Sequence, residues 1–203
     1  MNGLRLTVAI MAGGKSSRMG TDKAFVEISG KPIIEHLLER VSQLGQDETI
    51  LTSNTPEKYA HLDMPIYSDI FPGKGSLGGI YSAIQHSKSE YTLVVACDMP
   101  FVQPQLLHYM IGLIDDDEAF DVIVPRVDNF PQGLLAIYNK KCLEYILADI
   151  ESNKLKVIGF YGKMNVRYID ELEYRPFDLK GISFYNINTP DDLEKAQQLA
   201  GKS

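Results

Sequence analysis

Cysteine is scarce in this chain, positive charge is in deficit, and no apolar run approaches membrane length. The two cysteines among 203 residues, Cys97 and Cys142, form neither a C-x-x-C pair nor a disulfide framework. Cys97 lies in an apolar strand-like run, which fits a free thiol in a reducing compartment, and the expectation is a cytoplasmic protein. A formal net charge of -7 argues against a nucleic-acid or membrane-surface role, because both exchange protein cations for counterions. No stretch reaches the roughly 18 to 20 apolar residues of a membrane span. The N-terminal segment also lacks the layout of a signal peptide, since its strand-like run leads straight into a glycine loop. Repeats and low-complexity linkers are absent, and the expectation is a single domain over residues 1–203, long enough to bury a core without staples.

What the chain does have is a recurrent alternation of strand and helix patterns. Residues 5–11 read as a buried strand. Residues 24–28 read as a short strand or extended piece that ends in the turn Ser29-Gly30-Lys31. A helix follows over 32–44, with Pro at its first turn and Gly45 at its end. Residues 48–53 and 65–68 read as strands, 77–87 as a helix, and 91–97 as a strand apolar on both faces, as at the centre of a parallel sheet. A helix over 104–114, strands over 121–125 and 134–138, helices over 140–150 and 155–161, strands over 166–169 and 183–185, and a helix over 190–199 complete the pattern. Such alternation predicts an α/β fold, a three-layer α/β/α arrangement around a mostly parallel, Rossmann-like sheet, with ligands at the carboxyl ends of the strands.

The first such end carries Met11-Ala12-Gly13-Gly14-Lys15-Ser16-Ser17-Arg18-Met19-Gly20-Thr21-Asp22-Lys23. A glycine pair lets the backbone approach a polyanion, and Lys15, Arg18 and Lys23 against the single acid Asp22 supply neutralising charge. A plain tight turn with solvated polar residues explains the Gly-Gly pair alone, but cations on both sides of it suit several phosphates better. A P-loop is excluded, since its first glycine falls at Ala9, inside the strand. Gly73, Gly75 and Gly78 satisfy the letters of a dinucleotide fingerprint with Asp98 placed 20 residues on. They do not follow the first strand, however, and a Rossmann dehydrogenase is set aside.

Asp98 closes the apolar strand. A carboxylate there is costly unless hydrogen bonds, water or a cation meet it, although an Asp before Met99-Pro100 also serves as an ordinary turn starter. Magnesium bound to a triphosphate takes only one or two protein carboxylates, so Asp98 is enough to nucleate such a site. The histidines, His36, His61, His86 and His108, show no metal-ligand spacing and read as surface residues. The acidic run Asp115-Asp116-Asp117-Glu118 reads as a solvated loop.

The segment from Ala12 to Gly20, followed by Asp22-Lys23, resembles the signature of the sugar-phosphate and cofactor nucleotidyltransferases. With Leu77-Gly78-Gly79-Ile80, Asp98-Met99-Pro100-Phe101 and the terminal Asn186-Ile187-Asn188-Thr189-Pro190-Asp191-Asp192-Leu193, the chain resembles the molybdenum cofactor guanylyltransferases along nearly its whole length. The resemblance implies transfer of GMP from GTP to molybdopterin with release of pyrophosphate, and it implies a requirement for Mg2+. It places nucleotide contacts at Met11, Ala12, Gly13, Gly14, Lys23, Thr52, Asp69 and Asp98, the metal on Asp98, Arg18 and Lys23 on the triphosphate, and pterin contacts at Asn186 and Asn188. At Thr52, where many members carry Asn, this chain has its Asn two positions later, at Asn54. Ser76 stands in a loop where the sister cytidylyltransferases carry serines, so cytidylyl transfer or another sugar or cofactor nucleotidyl transfer is the alternative reaction. A non-catalytic nucleotide-binding module is the alternative of a different class. Transient contacts with cofactor biosynthesis proteins or molybdoenzymes are the expected partnerships.

Overall fold

The computed structural model describes residues 6–13, 22–115 and 119–201. The expectations for Gly14, Arg18 and most of the acidic run after residue 115 lie outside the described residues. In chain order the elements are β1 (Leu6–Met11), β2 (Glu27–Ile28), β3 (Lys31–Pro32), α1 (Ile33–Val41), β4 (Glu48–Thr52), β5 (Ile66–Tyr67), α2 (Gly75–His86) and β6 (Tyr91–Ala96). There follow α3 (Pro104–Gly112), β7 (Val122–Val127), β8 (Phe130–Pro131), β9 (Leu135–Asn139), α4 (Cys142–Glu151), β10 (Val166–Ile169), α5 (Glu171–Tyr174) and α6 (Pro190–Ala200). The α/β class and the mostly parallel sheet expected from the alternation are both found.

The sheet order is β10-β7-β9-β6-β1-β4-β5, with β8 hairpinned onto β7. The central strand β1 pairs in parallel with β4 and β6, and β10 pairs in parallel with β7. Only β9 on this path runs against its neighbours, antiparallel to both β6 and β7. The reason is local: the chain turns from β7 through β8 into β9 with no crossover helix, and a short connection joins only antiparallel strands. Because β9 reverses between β6 and β7, the carboxyl ends of β1, β4, β6, β7 and β10 all open on one edge.

Side-chain alternation divides the core between the two faces of the sheet. Val8, Ile10, Leu93 and Val95 pack with Ile34 and Leu37 of α1 and with Leu106, Leu107 and Met110 of α3. Ala9, Ile50 and Val94 turn the other way, onto Leu77, Ile80 and Ile84 of α2 and Ile146 and Ile150 of α4. A smaller cluster of Ile28, Ile33, Phe101, Ile187 and Ala196 brings the C-terminal segment back over the β2–β3 hairpin. Fully burying an isoleucine contributes about 1.5–3 kcal/mol, so Ile187 anchors its neighbours Asn186 and Asn188 at this edge.

Two expected elements take other forms. Residues 155–161 do not form a helix: bonds from Gly159 N to Lys156 O and from Tyr161 N to Ile158 O make successive turns, which end in a 3₁₀ helix over Tyr161–Lys163. The apolar residues there plug the core, with Phe160 buried and the Tyr161 hydroxyl 2.9 Å from that of Tyr138. Residues 183–185 do not form a strand. The buried Asp178 carboxylate accepts from Ile182 N at 3.1 Å and from Ser183 N at 2.9 Å, so a side chain caps a 3₁₀ turn over Ile182–Phe184 with amides that a strand would give to a neighbour.

Candidate functional site

The end of β1 is clamped by the strands on either side of it. Ala12 N donates to Thr52 O at 2.8 Å, and Cys97 N donates to Met11 O at 3.0 Å. The first loop therefore starts from a point fixed by β4 and β6. Thr52 is buried and contributes its carbonyl here, while Gly13 has open space where a Cβ would stand. Above Met11 lies Gly79 of α2; a Cβ on that glycine would come within 2.4 Å of Met11 Cε. The absence of a side chain on α2 is what lets Met11 lie against the helix.

The loop returns to the described part of the chain at Asp22. Lys23–Phe25 forms a single 3₁₀ turn, capped by the Asp22 side chain accepting from Ala24 N. From this turn Lys23 Nζ donates to Asn188 Oδ1 at 2.7 Å. Beside it, Ile187 N donates to the carbonyl oxygen of Asp98 at 3.0 Å, so the C-terminal segment is stitched directly onto the end of β6. Asn186 stays one step back, its amide donating to Phe184 O at 3.1 Å.

Asp98 has an unmet need. Its Oδ1 is buried and has no hydrogen-bond partner among the described residues. Burial raises the Asp98 pKa, opposed by the nearby Lys23 charge and by a backbone amide. A carboxylate oxygen out of water and without a donor is a receptor for a cation or a proton. The neighbouring Cys97 thiol is pushed far up by burial and then by the charges of Asp98 and Asp22, so it stays protonated and is no nucleophile.

The other flank is built by β4, β5 and α2. Asn54 Nδ2 donates to Asp69 Oδ2 at 2.7 Å, and Asp69 N donates to Asn54 Oδ1 at 3.3 Å. This two-way clasp orients the half-buried Asp69 carboxylate toward the α2 side, and Asn54, rather than the buried Thr52, is the side chain that meets it. The signal for Asn54 is its place just past the strand end, at the start of Asn54-Thr55-Pro56. The second glycine loop turns with positive φ at Gly73 (81°) and Gly75 (61°), conformations that favour glycine. It aims the first turn of α2, with Ser76 exposed in it, at the same edge, and the free amides of a helix start attract negative charge.

Met11, Ala12, Gly13, Lys23, Asp98 and Asn188 thus meet at one strand edge, with Asp69 and Asn54 on the neighbouring β4–β5 flank. A glycine-lined backbone, an ammonium group and a carboxylate with one oxygen unpartnered among the described residues together suit a polyphosphate accompanied by a divalent cation.

The family model of the MobA-like NTP transferase domain matches residues 8–162. The chain belongs to the MobA-like NTP transferases. It is 36% identical over 200 residues to a probable molybdenum cofactor guanylyltransferase of Pelotomaculum thermopropionicum, covering 98% of this chain and 96% of that protein. It is 38% identical over 191 residues to a probable molybdenum cofactor guanylyltransferase of Carboxydothermus hydrogenoformans, covering 94% of each. The crystal structure of molybdopterin-guanine dinucleotide biosynthesis protein A from Archaeoglobus fulgidus superposes with a TM-score of 0.84 at 31% identity, over 97% of this chain and 100% of that one. In this MobA-like chain the matched segment holds Met11, Lys23, Asp69 and Asp98, and the full-length similarity extends past it to Asn186 and Asn188.

None of the helices among the described residues is long and apolar enough to cross a membrane.

Proposed function

We propose that this chain transfers GMP from GTP to molybdopterin, releasing pyrophosphate and forming the guanine dinucleotide form of the cofactor. The observation that carries this reading is the meeting of Lys23, Asn188 and an Asp98 oxygen unpartnered among the described residues at the carboxyl edge of the sheet. It is supported by relatives of matching length named for that activity.

The acceptor is a phosphate monoester, whose second pKa near 6 leaves it mostly ionised at neutral pH. No strong general base is needed. One acceptor oxygen attacks the α-phosphorus of GTP in line; the bond from that phosphorus to the α–β bridging oxygen breaks, and pyrophosphate leaves with the electron pair. The protein's work is positioning and charge stabilisation. Met11 to Gly14 line the nucleotide, with Thr52 and Asp69 flanking it. Lys23 and Arg18 neutralise the triphosphate, while Asn186 and Asn188 face the pterin.

Asp98 would hold Mg2+, which fits its buried oxygen, unpartnered among the described residues. A single protein carboxylate is enough for such an ion, because phosphates and water complete its shell. Bound there, the ion supplies positive charge to the reacting phosphates. Two free thiols, Cys97 and Cys142, agree with action in a reducing cytoplasm.

Pyrophosphate release measured with molybdopterin and each of the four nucleoside triphosphates tests the reading. GTP-dependent release supports it. CTP preference would move the chain to cytidylyl transfer, with Ser76 as the first residue to exchange, and release with none would leave a nucleotide-binding module.

A further inference from the structure

We propose that Tyr59 and Asp22 are positioning residues for Lys23, with the Tyr59 hydroxyl holding the Asp22 carboxylate and the Tyr59 ring holding the turn that carries the lysine. This rests on the proposed role of Lys23 at the triphosphate. Asp22 is the one acid in an otherwise cationic loop, where a loose carboxylate would weaken the attraction for an anion. It is not loose. Its Oδ1 accepts from the Tyr59 hydroxyl at 3.1 Å and from Ala24 N at 3.3 Å, and its Oδ2 lies 3.6 Å from Lys58 Nζ.

Tyr59 is fully buried and grips the turn at both ends. At one end is its bond to Asp22; at the other, the Phe25 ring packs against it with centroids 5.0 Å apart. Lys23 lies between these two points and extends to Asn188. Burial foremost, with help from the neighbouring Cys97 and Asp22, raises the Tyr59 pKa far above neutrality, so its hydroxyl is always a donor. Tyr59 stands on the 3₁₀ helix Pro56–Tyr59 after β4 and has no contact with Asp98 or Asn188 through any hydrogen bond of its own. Its influence on the site passes through Asp22 and the turn.

The test measures equilibrium binding of Mg-GTP and of inorganic triphosphate, which carries no base, alongside kcat and KM for pyrophosphate release. Tyr59→Phe keeps the ring and loses only the hydroxyl. It is expected to weaken both ligands by about three- to tenfold, less than the full worth of a hydrogen bond to a charged group because the effect reaches the ligand only through Lys23. Asp22→Ala should do the same, and Asp22→Asn, which still accepts from Tyr59 and Ala24, should recover most of the loss. In a Lys23→Ala background Tyr59→Phe should add nothing. Wild-type binding by Tyr59→Phe, or an equal loss with and without Lys23, would overturn the proposal. If the wild-type protein transfers no GMP yet the triphosphate results follow this pattern, the reaction assignment fails and the positioning role stands.

Discussion

Lys23 and Asn188, 165 residues apart in sequence, are joined by a 2.7 Å hydrogen bond from Nζ to Oδ1. The bond ties the first loop to the segment entering the last helix. It also sets the ammonium beside the end of β6, where its charge opposes the burial-driven rise in the Asp98 pKa. A nucleotide held by the loop and an acceptor held by the C-terminal segment would share this junction.

Asp98→Asn is expected to lower GMP transfer by about a hundredfold or more, as loss of a preorganised electrostatic group does, while the metal-free protein keeps or gains stability. The gain follows because asparagine removes a carboxylate charge that burial penalises, the cause that raises the Asp98 pKa. Pyrophosphate release and thermal unfolding of the same sample check both halves. A destabilised but fully active variant would remove Asp98 from the site.

Asn188→Ala should raise the KM for GTP by a few-fold, since its bond to the Lys23 ammonium is exposed and contributes about 1 kcal/mol, below the range of buried hydrogen bonds to charged groups. Global stability should change little, because Asn188 is exposed and Ile187, not Asn188, is the buried anchor. Steady-state kinetics at saturating acceptor measure this.

Gly79→Ala adds a Cβ within 2.4 Å of Met11 Cε and 3.8 Å of Asp69 Oδ1. The methionine end is flexible, and alanine improves helix propensity by about 1 kcal/mol, so unfolding should shift little. Nucleotide affinity should fall instead, and Met11→Ala in the same chain should restore part of it. Titration with GTP of the single and double variants checks the pairing.

The pH dependence of stability has an identifiable contributor far from the β1 loop. Arg167, through a hydrogen-bonded ion pair, holds the Glu173 pKa below its usual value, with Tyr109 also donating to the carboxylate. A depressed carboxylate pKa stabilises the fold at pH above the ordinary glutamate value near 4.3, and the contribution fades as pH falls through the lowered value. Glu173→Gln should therefore be less stable than wild type near pH 7, with the two curves converging in acid. Denaturant unfolding between pH 7 and 3 measures the convergence.

Much of the fold was legible because its elements carry strong periodicity. The apolar runs at β1 and β6 and the spaced leucines and isoleucines of α1 point to buried strands and an amphipathic helix without reference to the rest of the chain. The errors fall where side chains replace backbone pairing: Asp178 captures the amides of Ile182 and Ser183, and Phe160 and Tyr161 fill the core from turns. Apolar residues in a short segment look alike whether a strand, a helix or a plug presents them. The short α5 was also missed, although its Asp170 and Glu173 form a capping box.

By itself the sequence determined the α/β class, the two glycine loops and the chemical character of the site: cations and glycines at the end of the first strand, and a carboxylate at the end of a fully apolar one. Those properties are local, set by residue type and spacing. Tertiary structure alone decided that β9 runs antiparallel, that Asn54 and not Thr52 clasps Asp69, that Asp98 keeps a buried oxygen unpartnered among the described residues, and that Tyr59 and Asn188 take hold of the turn and side chain of Lys23. Each depends on which strand ends become neighbours in the sheet, and that is a contest among distant packing energies that no local pattern encodes.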